Sequence, residues 1–168
     1  PLRDPPFWVR ELCESLKFVQ RRSFRLRHRV HINIGEAIGY RSLQKLLFLK
    51  QRRSRTVNLS DSAVTIGAVA KGRSSSAALN HVLRSTLPYT LAGELYGANL
   101  HVRSAWNNAD DPSRFVPLRG PSRDVPRWLQ HLRVGRTEVY DRVRLADQFR
   151  WPLSGWVRFI LGTYDAGR

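Results

Sequence analysis

Methionine does not occur in this chain, and cysteine occurs once, at Cys13. A single thiol excludes an intrachain disulfide framework and a multi-cysteine zinc site. No apolar run reaches the roughly 20 residues of a membrane span. The first fifteen residues, PLRDPPFWVRELCES, are proline-rich and charged where a signal peptide would be apolar. An intracellular location is therefore expected. The missing Met and the Pro at position 1 lead us to expect a segment of a longer polypeptide or a processed piece. Acid is also scarce: 13 Asp+Glu stand against 29 Lys+Arg, a formal charge of +16 at pH 7.

What is present supports a folded domain. The 168 residues are 42% hydrophobic and 10% aromatic, enough for one domain with an appendage. A pI near 11.4 points to a polyanionic partner, nucleic acid first and an anionic membrane surface second. Arginine outnumbers lysine, which suits bidentate phosphate contacts, although GC-rich codon usage gives the same excess. A membrane role wants one amphipathic helix with concentrated cations, and none stands apart. No membrane partner is expected.

Residues 7–18 carry Phe7, Trp8, Leu12 and Leu16 near helical spacing. Residues 23–32 alternate, with Phe24, Leu26, His28, Val30 and Ile32 on one side and arginines mostly on the other, the pattern of a half-exposed strand. From Ile34 to Leu49 the apolar period is helical and ends in the basic run Lys50–Arg55. Thr56–Leu59 reads as a strand with Asp61 just past its tip. Ser62–Ala70 and Ala77–Leu95 read as helices, the second interrupted near Pro88, and Asn99–Trp106 as a strand. Prolines at 112, 117, 121 and 126 mark a linker, and residues 127–168 show no clear organisation. The expected class is α/β, with ligands gathering at the C-terminal ends of strands.

In so basic a chain, three acids call for a reason. Glu36 lies in the first turns of a helix, Asp61 follows a strand, and Asp110 follows the last strand. Such positions can converge at one sheet edge. Carboxylates with a basic surface suit Mg²⁺ or Mn²⁺ chemistry on a phosphodiester. Capping explains the same three positions without any ligand.

The segments HIN-x-x-E at His31–Glu36, L-S-D-S at Leu59–Ser62, A-K-G-R-S-S-S at Ala70–Ser76 and N-x-A-D-x-P-S-R at Asn107–Arg114 resemble the ribonuclease H domain of retroelement reverse transcriptase polyproteins. The resemblance covers roughly residues 20–115, in the family's order. It implies a ribonuclease-H-like mixed sheet flanked by helices, N-terminally incomplete, with an irregular basic C-terminal tail. It implies cleavage of the RNA strand of RNA–DNA hybrids with Mg²⁺ or Mn²⁺ held by Glu36, Asp61 and Asp110, and an upstream reverse transcriptase segment of the same polyprotein as partner. Asp111 is the neighbour of the last acid. The family's first aspartate has no equivalent: the only Asp upstream of Glu36 is Asp4, beside Pro5 and Pro6, which cannot sit in a central strand. Gly35 precedes the glutamate where relatives carry a larger residue, and Asn108 replaces the proline of N-P-A-D.

The expected boundaries are 1–22 for a helical lead-in, 23–115 for the ribonuclease-H-like domain, and 116–168 for a Pro/Arg-rich linker and tail. Candidate nucleic-acid contacts are Lys71, Arg73, Ser74 and Ser75 at a helix start, with Asn33 and Arg114. A plain N-cap is the alternative for the Ser74–Ser76 turn. His31, His101, Ser104 and Trp106 lie close to the acids in the sequence, and packing or capping explains each as well. Cys13 reads as a small apolar residue. The rival to a nuclease is a non-catalytic nucleic-acid-binding module of the same fold.

Overall fold

Helix α2 (Ile32–Lys50) begins where His31 supplies a cap, its ring Nδ1 accepting from the Asn33 amide at 3.3 Å. It ends with Lys50 in the last turn, where a cation complements the carbonyl end of the helix dipole. The computed structural model describes residues 5–148. Two compact units share these residues: one holds Phe18–Arg119, the other Pro6–Lys17 with the chain from Gly120 onward.

In the first unit, α2 leads into strand β1 (Arg55–Ser60). Helix α3 (Ala63–Lys71) follows, capped by the Ser62 hydroxyl on the Thr65 amide and stopped by Gly72 at φ 67°. Only glycine adopts that left-handed conformation without a Cβ clash. Helix α4 (Ala77–Ala92) starts at a Ser76 cap and carries Pro88 inside it. Strand β2 (Tyr96–His101) then returns beside β1 in parallel, with Arg55 opposite Tyr96 and Ser60 opposite His101. A 3₁₀ turn (Ser104–Trp106) and the short helix α5 (Asp110–Ser113) close the unit.

The core lies between α2, α3 and α4: Ala37, Ala68, Leu79, Val82 and Leu83 are buried, with Ile34, Ile38 and Val69 packed against them. Leu79 is only 2% exposed, a burial that stabilises by about 1.5–3 kcal/mol. A polar line ties α2 to the sheet. Asn58 Nδ2 donates to Asn99 Oδ1 at 3.0 Å across the two strands, and Asn99 is hydrogen-bonded to the Tyr40 hydroxyl of α2. Gly97 leaves room for this pair, since a Cβ there would stand 2.9 Å from Asn58 Nδ2.

The second unit contains helices α1 (Phe7–Ser15), α6 (Arg127–Arg133) and α7 (Glu138–Gln148). Trp8 meets Trp128 edge-on at 6.2 Å and Tyr140 at 5.4 Å, and Trp128 Nε1 donates to Glu11 Oε2 at 2.7 Å. Glu14 pairs with both Arg10 and Arg123 at 2.7 Å. Cys13 is buried, in keeping with an apolar role.

The α/β class stands, and several local expectations need correction. The alternating segment 23–32 forms no strand. Residues 17–30 carry no regular structure, and Ile32 already belongs to α2. A strand persists through a ladder with a neighbour, and the described residues place none beside it. Its apolar side chains rest on α2 instead: Leu26 Cδ1 lies 3.5 Å and Val30 Cγ2 3.8 Å from where a Cβ on Gly35 would stand. Among the described residues the sheet is therefore two parallel strands, with no antiparallel partner to make it mixed. The last strand starts at Tyr96 rather than Asn99, and Trp106 lies in the 3₁₀ turn. The tail is not irregular throughout: 127–133 and 138–148 are helical, and residues 6–17 cluster with this part of the chain instead of forming a separate lead-in. Asp4 and the tail from 149, with Trp151 and Trp156, lie outside the described residues.

Candidate active site

The C-terminal ends of β1 and β2 lie side by side because the strands run parallel and in register. Asp61 follows directly after β1, while the chain leaving β2 folds back through Ser104–Trp106 to place Asn107 and Asp110 beside it. Ser104 Oγ donates to Asp61 Oδ2 at 2.7 Å. Asn107 Nδ2 donates to Asp61 Oδ1 and to Asp110 Oδ1, at 3.1 Å each. Asn107 Oδ1 in turn accepts from the Ala109 amide at 3.2 Å, which fixes the orientation of the amide group.

Glu36 enters from α2, one helical turn before Tyr40, so both project from one side of that helix. Burial raises the pKa of Glu36 first, and the charges of Asp61 and Asp110 raise it further. Asp110 is also raised, by burial and then by Asp61, against the opposing pull of Arg114. Glu36 thus feels two carboxylates from elements far apart in the sequence, and no cation is among the influences on it. Asp111 is different. Arg119 grips its carboxylate and holds the pKa down to about 2. Asp111 is therefore a structural anchor of the loop, tied through Arg119 to the Ala105 carbonyl at 2.7 Å.

Glu36 and Asp110 line one cleft of about 750 Å³, together with the arm Phe18–Arg25 and with Phe115. Arg114 reaches Asp110 Oδ2 at 3.2 Å, which makes it a counter-ion to the site. Lys71, Arg73, Ser74 and Ser75 are not in that cleft. They line a separate cavity of about 490 Å³ against α3. Asn80 fixes their loop, accepting from the Ser74 amide and donating to the Ser74 carbonyl at 2.7 Å each. Asn33 contributes its backbone amide to the His31 cap. His101 ends β2 with a buried Nδ1 that has no hydrogen-bond partner among the described residues. Trp106 is half-buried with Arg103 over its ring at 5.5 Å.

The sequence reading missed the amide that joins the acids. The signal was the Asn-x-x-Asp spacing at 107–110, which a tight turn brings to one side. It also missed Phe115. The N–H of Val116 bonds to the Asp111 carbonyl at 2.9 Å and that of Phe115 to the Pro112 carbonyl at 3.2 Å. This pair of bonds is the Schellman ending of α5, and Phe115 takes its left-handed position at φ 61°. Glycine is usual there, and an L side chain costs about 1–2 kcal/mol.

Hard divalent cations take carboxylate oxygens, so the donor set here is of the right chemistry. The charge that Asp61 and Asp110 set against Glu36 is what a cation relieves. The side chains are not drawn into a ready ligand cage: among the described residues no group of three or more His, Cys, Asp or Glu meets at metal-holding separation. No helix among them is long and apolar enough to cross a membrane. Compared with protein-family models, curated proteins and solved structures, the chain finds no match in any of the three.

Proposed function

We propose that this chain is a ribonuclease-H-like domain of a retroelement polyprotein that hydrolyses the RNA strand of RNA–DNA hybrids. One observation carries the reading. In a chain of charge +16, Glu36 is held half-buried where Asp61 and Asp110 add negative charge and no cation is among the influences on it, while Asn107 ties Asp61 to Asp110. A fold does not gain from such a cluster unless something positive binds it.

Glu36, Asp61 and Asp110 would hold Mg²⁺ or Mn²⁺, which would supply Lewis-acid polarisation of the phosphoryl oxygen and ease deprotonation of the attacking water. The protein's own part is to hold the carboxylates. Ser104 and Asn107 aim Asp61, Asn107 and Arg114 aim Asp110, and the Tyr40–Asn99 bond seats the helix that carries Glu36. Lys71, Arg73, Ser74 and Ser75 form a second, cationic grip for backbone phosphates, and the upstream reverse transcriptase segment is the proposed polyprotein partner.

The binding-only reading draws on the absence, among the described residues, of a group of three or more such side chains at metal-holding separation. The test is incubation with a labelled RNA–DNA hybrid in Mg²⁺, in Mn²⁺ and in chelator, beside Asp61→Asn. Metal-dependent cutting of the RNA strand, lost in the variant, is the expected result. Binding without cutting in either metal overturns the nuclease and leaves the binding module.

A further inference from the structure

Phe115 is the most exposed large apolar side chain among the described residues, 97% accessible, and it stands at the edge of the acid cleft. It also occupies a left-handed backbone position that favours glycine. The two other non-glycine residues with positive φ among the described residues, Arg53 and Glu94, pair with one another at 3.3 Å. Phe115 has no such partner. The fold gains almost nothing from a phenyl ring held in water, and a strained backbone position at the edge of a cleft is where a ligand contact is to be sought.

Across the same cleft runs the arm with Arg21, Arg22 and Arg25. All three are exposed. Arg22 donates to Ser42 Oγ at 3.1 Å, and none of the three forms an ion pair among the described residues. Nor are they among the charges that act on Glu36 or Asp110. The guanidinium groups of Arg21 and Arg25, and the donors of Arg22 that Ser42 does not engage, are left for an anion that enters the cleft.

An aromatic face and a row of arginines on one groove match a nucleic-acid strand, whose bases stack and whose phosphates pair. We propose that Phe115 is a stacking platform for an unpaired base, and that Arg21, Arg22 and Arg25 grip the phosphates of the same single strand as it leaves the acids. The inference rests on the reading of the acid cleft as a polynucleotide site. Stacking requires an open base, so the platform distinguishes a single strand from a closed duplex.

The experiment measures binding in chelator to a short labelled single-stranded RNA and to a closed RNA–DNA hairpin duplex. The proteins are the full chain, Phe115→Gly, Phe115→Tyr, and the triple variant Arg21→Gln, Arg22→Gln, Arg25→Gln. Phe115→Gly is expected to melt no lower than the parent, since glycine relieves the backbone. It is expected to bind the single strand roughly 10- to 100-fold more weakly and the closed duplex unchanged. Phe115→Tyr is expected to retain single-strand affinity. The triple variant is expected to flatten the dependence of log K on log salt by roughly 2 for a single strand.

Unchanged single-strand affinity in Phe115→Gly overturns the platform, as does an equal loss for both ligands. A marked fall in melting temperature shows that the fold does use the ring and overturns it too. An unchanged salt slope in the triple variant overturns the role of the arm. A parallel cleavage assay separates this inference from the nuclease reading. Phe115-dependent binding without cutting leaves the platform standing and removes the hydrolase. Cutting by a protein whose single-strand binding ignores Phe115 does the reverse.

Discussion

Asp61 and Asp110 accept hydrogen bonds from the same nitrogen, Asn107 Nδ2, at 3.1 Å each. Two carboxylates are thereby held as neighbours although the charge of Asp61 opposes ionisation of Asp110. The amide supplies two N–H groups and no net charge, so it orients the pair without neutralising it. A group that only capped a helix would need one acid here, not two.

Asn107→Ala removes this orientation and leaves both acids in place. Outer residues that aim metal ligands typically account for 10–100-fold in affinity or activity. The expected outcome is a divalent-ion affinity weaker by about that factor, read as a shift in the Mg²⁺ concentration that raises the melting temperature. A melting curve as responsive to Mg²⁺ as the parent's would rule out Asn107 as the positioning group.

Asp61→Asn tests the acid itself. Asn keeps the shape and can still meet Ser104, but it takes away one negative charge. Cleavage of a hybrid is expected to fall by at least about 100-fold, the scale seen when a member of a catalytic unit is removed. Affinity for nucleic acid in chelator is expected to hold or rise, because a repelling charge near the backbone has gone. Retained cutting sinks the assignment of Asp61.

The raised pKa values of Glu36 and Asp110 carry a sign for stability. An acid that binds its proton more tightly when folded contributes stability that is fully present below its ordinary range. That contribution disappears as pH rises through the folded value. Above the folded values both acids are charged, and that charge destabilises the fold. Glu36→Gln is therefore expected to melt higher than the parent above the raised folded value, with the difference shrinking as pH falls through that value toward the ordinary 4.5. Asp111, held down to about 2 by Arg119, shows the opposite sign: its contribution is present at neutral pH and lost on acidification. Thermal melts of parent and variant across this range check the claim, and a variant that melts lower above the folded value contradicts it.

Periodicity marked the helices of the first unit well, because each has a polar start and a definite stop. Ser62 and Ser76 cap α3 and α4, and Gly72 ends α3. Strand β1 was legible for the same reason, bounded by a basic run and Asp61. The segment 23–32 misled because alternation records which side chains want cover, not what covers them. Phe24, Leu26 and Val30 keep 49%, 37% and 41% of their surface exposed, which a sheet face would have buried. The approach of Asp61 to Asp110 followed from the α/β order, since parallel strands bring their C-terminal ends together. Asn107 and Phe115 stayed hidden because their roles depend on the turn after β2, which composition shows only as a loop. The aromatic cluster of the second unit was equally hidden, since Trp8 and Trp128 meet across more than a hundred residues.

Tyr40 provides a test of how the glutamate helix is seated. Its hydroxyl is bonded to Asn99, which Asn58 holds from the neighbouring strand, so one phenol joins α2 to both strands. Tyr40→Phe keeps the ring and its packing and deletes only that bond. The loss of stability is expected to be about 1 kcal/mol, the usual net value for a neutral hydrogen bond. Because Glu36 lies one turn away on the same helix, the response of the melting temperature to Mg²⁺ is expected to weaken as well, though less than in Asn107→Ala. Glu36→Gln would separate the two effects: in that background Tyr40→Phe should still reduce stability but should no longer alter the response through the glutamate. If Tyr40→Phe instead leaves both stability and the Mg²⁺ response unchanged, α2 is seated by its apolar contacts with α4 alone and the polar line contributes nothing to the site.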